Sequence, residues 1–294
     1  IMLYQILRLH IQRTINCNQI DPSFFLFINI NEPFPGKSSA PTTTATMTNP
    51  ALTLHHAYFT ITFKWKQDKQ KGIQMIKLIA SDVDGTLVKD GTLMINPEYM
   101  NIINTLVDKG IIFVVCSGRQ FVSERKLFAP IADKLYYISD GGTVVRTPDK
   151  ILKTFPMDEE LWKGMCRMVR DTLLSCDYFV GTPDYGYAED AGSRMFHWLR
   201  DSYGFDIRET PDVLSIENED IIKLTIYHPT ECEELCTPEF IPYWKKHAQV
   251  AAAGKEWVDC NALGVSKWTA ISYLMEHFGI AADEVCVFGD NLND

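Results

Sequence analysis

The feature that most constrains the fold is a series of short apolar runs, each followed by polar, turn-forming residues. The runs occupy residues 76–80, 111–115, 135–138 and 284–288. Their nearly continuous apolar character is typical of strands that are covered on both faces. A segment with helical spacing separates the first run from the second, with Asn96 as a candidate N-cap. Strands that alternate with helices predict an α/β fold with a Rossmann-like parallel sheet.

A second pattern interrupts the first between about residues 158 and 254. Helical segments there alternate with extended segments and with turn clusters rich in glycine, proline and aspartate. The core pattern then resumes with a helix over 266–278 and the last apolar run. We therefore predict an inserted α/β cap domain at 158–254, within a core formed by 75–157 and 255–294.

The first 74 residues differ from the rest in composition. They carry seven Lys/Arg against three Asp/Glu, and residues 41–50 form a low-complexity stretch that cannot build a core. A transit peptide is one interpretation of such an acid-poor leader. The interpretation we prefer is a disordered or non-native extension, with the native protein starting at Met75.

Composition narrows the class of protein. The 294 residues are 46% apolar and 22% charged, as in soluble globular proteins, and the net charge of -10 argues against nucleic acid or an anionic membrane as the main partner. No apolar run approaches the roughly 20 residues of a membrane span. The eight cysteines are scattered without a zinc-site spacing, which favours free thiols and a cytoplasmic location. No sequence signal bears on oligomeric state.

Chemically reactive residues follow the predicted strands. Asp82 and Asp84 follow the first, Ser117 the second and Asp290 the last, while Lys267 lies near the start of the preceding helix. Ligands of parallel sheets bind at the carboxyl ends of the strands, so we expect these side chains to share one crevice.

That set of side chains suits phosphoryl transfer. Three acids in one crevice require a cation, and a few carboxylate oxygens suit Mg²⁺ rather than zinc. Ser117 and Lys267 would supply a hydroxyl group and a positive charge for an anionic ligand. Asp82 would then be a nucleophile that forms an aspartyl-phosphate. Asp84 would protonate the leaving oxygen and afterwards activate water.

The same residues carry a resemblance to a known family. DVDGTL (82–87), Ser117 in CSGR, Lys267 in GVSKWTA and the terminal GDNLND resemble, in order, the four motifs of the haloacid-dehalogenase (HAD) superfamily. The resemblance covers residues 75–294. The insertion between the second and third motifs looks most like that of the Cof-type phosphatases, which have an α/β cap.

This resemblance implies a Mg²⁺-dependent phosphatase that acts on a small phosphorylated metabolite, such as a sugar phosphate, through an aspartyl-phosphate. It assigns the nucleophile and the acid/base to Asp82 and Asp84. The implied metal ligands are Asp82, Asp84 through its backbone carbonyl, and Asp290. The implied phosphate-binding residues are Ser117, Gly118 and Lys267. The residues implied to lie beside the metal ligands are Asn293 and Asp294.

The sequence also departs from the family pattern. Trp268 stands where a small residue is common, and Asp140-Gly141 stands where Asn-Gly is common. Neither departure touches the nucleophile, but Asp140 bears on the local phosphate or substrate contact. The family's core continues past the fourth motif, so the chain resembles a C-terminally truncated member. A phosphotransferase or phosphomutase and an inactive fragment are the alternatives. Arg119 has two interpretations, a substrate contact and a structural salt bridge.

Overall fold

The computed structural model of the protein describes residues 53–56, 59–62, 76–88 and 94–290. Its strands are β1 (Thr53–His56), β2 (Phe59–Thr62), β3 (Leu78–Ser81), β4 (Ile112–Cys116), β5 (Tyr136–Ser139), β6 (Val144–Arg146), β7 (Ile151–Thr154), β8 (Asp177–Gly181), β9 (Gly186–Ala188), β10 (Ile207–Glu209), β11 (Lys223–Tyr227), β12 (Ala248–Ala253), β13 (Trp257–Ala262) and β14 (Val285–Phe288). Its helices are α1 (Pro97–Asp108), α2 (Phe121–Leu127), α3 (Glu159–Thr172), α4 (Arg194–His197), α5 (Cys232–Cys236), α6 (Phe240–Trp244) and α7 (Lys267–Phe278). A π-helical segment, Trp198–Tyr203, continues α4.

The N-terminal part of the chain contributes only β1 and β2 to the described structure. These two strands pair antiparallel in a sheet of their own. The other residues before Ile76 lie outside the described ranges, so the extension and the start at Met75 stay predictions. Within the described ranges, no helix combines the length and the apolar character needed to cross a membrane, and the seven cysteines are free thiols.

The first six-stranded sheet has the order β14-β3-β4-β5-β6-β7. β14, β3, β4 and β5 are parallel, which confirms the predicted parallel core. β6 and β7 extend the sheet in antiparallel pairing, which the sequence did not indicate. The chain reverses there because only residues 140–143 join β5 to β6, whereas a parallel crossover needs about a dozen residues or more.

Hydrophobic clusters cover both faces of the parallel strands. Ile79 of β3 packs with Met100 and Ile103 of α1 on one face. Its neighbours Leu78 and Ala80 belong to the cluster on the other face, which α7 completes. Side chains alternate across a strand, so the apolar residues Leu78, Ile79 and Ala80 of β3 are buried on one face or the other. This explains why the core strands have continuous rather than alternating apolar runs.

The second six-stranded sheet has the order β10-β9-β8-β11-β13-β12 and lies in sequence between β7 and α7. It is antiparallel except for the pairing of β9 with β10. Met165 and Val169 of α3 pack on one face of it, against Leu224 and Ile226. The sheet continues past the predicted boundary at residue 254, because Gly254 lies in the turn between β12 and β13. The division into a core and a cap domain stays a prediction.

Candidate active site

The predicted site residues meet at one edge of the first sheet. The residues that follow β3, β4 and β14 and the first residue of α7 line a cavity of about 390 Å³. The predicted residues among those that line it are Asp82, Asp84, Ser117, Gly118, Lys267 and Asp290. Asn293 and Asp294 lie outside the described residues. The second sheet forms the opposite wall of the cavity, so a ligand at these residues would lie between the two sheets.

Asp82 and Lys267 form a buried ion pair at the centre of this edge. The backbone N–H of Asp82 donates to the carbonyl of Phe288 (2.9 Å), which fixes Asp82 where β3 ends beside β14. Lys267 begins α7, whose N-terminus is capped by the side chain of Ser266. Lys267 Nζ lies 2.6 Å from Asp82 Oδ1, and each side chain is only 7% exposed. The arrangement places a carboxylate, the type of group that a nucleophilic aspartate requires, beside a cation of the type that binds anionic ligands.

Asp84 is held by Arg119. The guanidinium group contacts both carboxylate oxygens, with Nε 2.7 Å from Oδ2 and Nη2 2.6 Å from Oδ1. Arg119 is buried, and its guanidinium carbon lies 5.1 Å from the centre of the Tyr203 ring. Of the two interpretations of Arg119, a substrate contact and a salt bridge, the structure therefore shows the salt bridge. Arg119 also connects Asp84 to Tyr203, which belongs to the inserted segment that carries the second sheet.

Ser117 and Gly118 form a tightly anchored loop after β4. The N–H of Ser117 donates to the carbonyl of Ile138 in β5 (2.9 Å), and its hydroxyl oxygen accepts the N–H of Arg119 (3.2 Å). A serine hydroxyl that accepts a hydrogen bond keeps its own O–H to donate. Gly118 adds no side chain to the cavity wall, and its carbonyl accepts from Lys223 Nζ (3.2 Å). The loop can therefore offer a hydroxyl donor to an anion without steric obstruction.

Asp290 lies against the turn that carries Asp84. A Cβ atom on Gly85, whose φ is +84°, would lie 2.1 Å from Asp290 Oδ2, so only glycine leaves room for this carboxylate. Asp290 Oδ1 accepts from the Thr86 hydroxyl at 3.5 Å. Within the described ranges no cluster of three or more His, Cys, Asp or Glu side chains is arranged to hold a metal. Two carboxylates, Asp82 and Asp290, and the carbonyl of Asp84 make an all-oxygen set that fits Mg²⁺.

Gly142 is a site-forming residue that the motifs did not reveal. Its φ is +109°, and a Cβ atom there would lie 2.3 Å from the carbonyl carbon of Ser266 and 2.7 Å from the backbone nitrogen of Lys267. The loop after β5 thus packs directly on the backbone that begins α7. The Gly-Gly pair after the strand was the available signal, but it indicates only a turn.

Asp140 is buried beside the site rather than on the cavity surface. It is 1% exposed, and neither carboxylate oxygen has a hydrogen-bond partner among the residues that the structure describes. Burial raises the pKa of this carboxyl to about 7, because the nearby Lys223 ammonium offsets the desolvation only in part and Asp259 raises the pKa further. The residue adopts φ of +52°, a backbone conformation that asparagine also tolerates.

Asp140→Asn is therefore expected to stabilise the protein at pH 8. Because its pKa is raised in the folded state, Asp140 binds its proton more tightly there than in the unfolded chain. Its ionisation therefore removes stability as pH rises from about 4 to about 7. Asparagine carries no such cost, so we expect a gain of roughly 2–4 kcal/mol at pH 8. Denaturant unfolding measures it.

The pH dependence separates ionisation from packing. The gain from Asp140→Asn should be smaller by about 2 kcal/mol at pH 5, where the native carboxyl is mostly protonated. Asp149→Asn, in the exposed turn between β6 and β7, is the matched control and should change stability little at either pH. Equal gains from Asp140→Asn at pH 5 and pH 8 would contradict the raised pKa.

Known proteins are similar to this chain in sequence and in fold. A sequence model of the haloacid dehalogenase-like hydrolases matches residues 79–294. A solved structure from Eubacterium rectale is 70% identical, with a TM-score of 0.69 over 75% of this chain and 83% of that chain. A 5-amino-6-(5-phospho-D-ribitylamino)uracil phosphatase from Bacillus subtilis is 25% identical over 74% of this chain and 78% of its own. An HMP-PP phosphatase from Cronobacter sakazakii is 23% identical, over 75% and 79%. The family match covers both six-stranded sheets except for Leu78, the first residue of β3, and the chain belongs to the haloacid dehalogenase-like hydrolases.

Proposed function

We propose that this chain, a phosphoric monoester hydrolase, cleaves the phosphate ester of a small metabolite such as a sugar phosphate. The observation that carries the proposal is the contact of 2.6 Å between Lys267 Nζ and Asp82 Oδ1 at the strand edge. A cavity of about 390 Å³ suits a small molecule. The relatives from Bacillus subtilis and Cronobacter sakazakii are phosphatases whose names give different substrates, which supports the reaction class rather than one substrate.

In the proposed reaction, a carboxylate oxygen of Asp82 attacks phosphorus and the ester P–O bond breaks. Asp84 donates a proton to the departing alcohol oxygen. Asp84 then takes a proton from a water molecule, whose oxygen attacks phosphorus, releases inorganic phosphate and restores the Asp82 carboxylate. Lys267, the Ser117 hydroxyl and the backbone at Gly118 would hold the phosphate oxygens throughout.

The salt bridge to Arg119 bears on the proton transfers. Asp84 shares both carboxylate oxygens with the guanidinium group, so it must turn from Arg119 to protonate a leaving oxygen. Tyr203 lies against the same guanidinium group. Movement of the second sheet over a bound ester would then shift Arg119 and change its contact with Asp84. Such a movement is expected of a cap that closes over its substrate.

The residues that would hold Mg²⁺ are Asp82, Asp290 and Asp84, the last through its backbone carbonyl. When bound, the ion supplies positive charge that offsets the charge of the phosphate group and of the clustered carboxylates. Gly85 keeps the space beside Asp290 open for this arrangement.

Phosphate release from p-nitrophenyl phosphate and from a series of sugar phosphates tests the proposal. We expect EDTA treatment to remove at least about nine-tenths of the activity, and Mg²⁺ to restore it better than Ca²⁺, which prefers more ligands. Circular dichroism of the EDTA-treated protein controls for unfolding. Full activity after chelation would contradict the Mg²⁺ requirement, and no release from any ester would contradict the function.

A further inference from the structure

The second sheet turns a polar face toward the cavity. Leu224 and Ile226 of β11 point into the hydrophobic cluster beneath α3, so Lys223 and Thr225 point to the opposite face. The pairing of β11 with β13 places Thr225 directly opposite Asp259. All three polar residues line the cavity, and we call Lys223, Thr225 and Asp259 the polar strip.

Hydrogen bonds fix the polar strip in place. Lys223 Nζ lies 2.9 Å from Asp259 Oδ2 and 3.2 Å from the carbonyl oxygen of Gly118, to which it donates. Thr225 Oγ1 donates to Asp259 Oδ1 at 2.7 Å. An ammonium group has three donors and each carboxylate oxygen accepts two hydrogen bonds, so the strip has capacity beyond these contacts. It therefore presents a preorganised donor and several acceptors to whatever occupies the cavity.

Aromatic rings flank the polar strip on the same face. Phe179 of β8 pairs with Thr225, and Trp257 lies two residues before Asp259 in β13. Both rings line the cavity. A polyol or sugar matches this surface, because its C–H groups pack on rings while its hydroxyl groups both donate and accept hydrogen bonds. An aryl group would displace water from the polar strip without forming hydrogen bonds to it, at a cost of about 1–3 kcal/mol for each polar group left without a partner.

We propose that the polar strip binds hydroxyl groups of the leaving alcohol and thereby selects phosphate esters of sugars and polyols over aryl phosphates. This inference rests on the proposed phosphatase function. Lys223 contacts the carbonyl of Gly118, the residue next to Ser117. The hydroxyl groups that the strip binds are therefore those close to the phosphorylated carbon.

Steady-state kinetics of the full chain with sorbitol phosphate and phenyl phosphate test this selection. Asp259→Asn removes a charged acceptor, and we expect it to lower the ratio of kcat/KM for sorbitol phosphate to that for phenyl phosphate about 10- to 100-fold. Thr225→Val keeps the shape of the side chain and should lower the same ratio about fivefold. Glu217→Gln, an exposed acid in the same insertion, is the matched control and should leave the ratio unchanged.

The outcomes separate selection from a structural role. If the Asp259 and Thr225 variants lose both activities in parallel, the strip only ties the second sheet to the Ser117 loop, and the proposal is overturned. A wild-type preference for phenyl phosphate overturns it as well. If the wild type hydrolyses neither these two esters nor any other, the proposed function fails, and calorimetric measurement of the binding of the two esters tests the polar strip separately. Tighter binding of sorbitol phosphate that Asp259→Asn abolishes supports it, and equal binding overturns it.

Discussion

Replacing Asp82 with asparagine is expected to lower hydrolysis of p-nitrophenyl phosphate at least about 1,000-fold. The amide has the shape of the carboxylate but cannot attack phosphorus to form the covalent intermediate. Asp82 is anchored by its backbone to β14 and by its side chain to Lys267, so asparagine at this position should occupy the same place. Phosphate release with saturating Mg²⁺ measures the loss. A folded Asp82→Asn protein that keeps more than a few percent of activity would contradict the nucleophile assignment.

The ion pair with Lys267 makes folding a necessary control for that experiment. Asparagine removes the negative charge beside a buried ammonium group, which can cost about 3–5 kcal/mol of stability. Asp82→Glu keeps the charge and shifts the carboxylate by one methylene group, so it separates charge from position. Loss of activity in both variants, with cooperative melts retained, is the result expected of a nucleophile. A fully active Asp82→Glu protein would indicate that charge alone matters at this position.

The sequence predicted those features that depend on neighbouring residues in the chain. The buried strands were recognisable because both of their faces are apolar. Asp82, Ser117 and Asp290 could be placed because each lies within two residues of the end of such a strand. Parallel pairing then brings their strand ends to one edge. The roles assigned to these residues stay proposals, although the structure places them around one cavity.

Features that depend on tertiary pairing were not predictable in the same way. The partner of Arg119 depends on how the loop after β4 faces the turn at Asp84. The polar strip requires the register between β11 and β13, since alternation within β11 alone does not show which face meets the cavity. Asp140 likewise reads as an ordinary turn residue, and its burial follows only from packing around it.

Gly142→Ala is expected to destabilise the protein by more than about 3 kcal/mol, or roughly 6–12 °C in melting temperature. An alanine at φ of +109° is strained, and its Cβ would lie 2.3 Å from the carbonyl carbon and oxygen of Ser266. Those atoms are backbone and cannot rotate away, so the start of α7 must shift. Because Lys267 begins that helix and contacts Asp82, we expect phosphatase activity to fall even in the fraction that remains folded.

Gly110→Ala provides the matched control, because it separates backbone strain from collision. Gly110 has a similar positive φ of +86°, but a Cβ atom there would meet no atom of the described part of the chain within 4 Å. It should therefore lose only about 1–2 kcal/mol and retain its activity. Denaturant unfolding and kcat for the two variants give the comparison. If the two variants lose equal stability, the close approach of the β5 loop to α7 does not add to the destabilisation of Gly142→Ala. If Gly142→Ala is destabilised yet keeps its full kcat, that approach does not position Lys267.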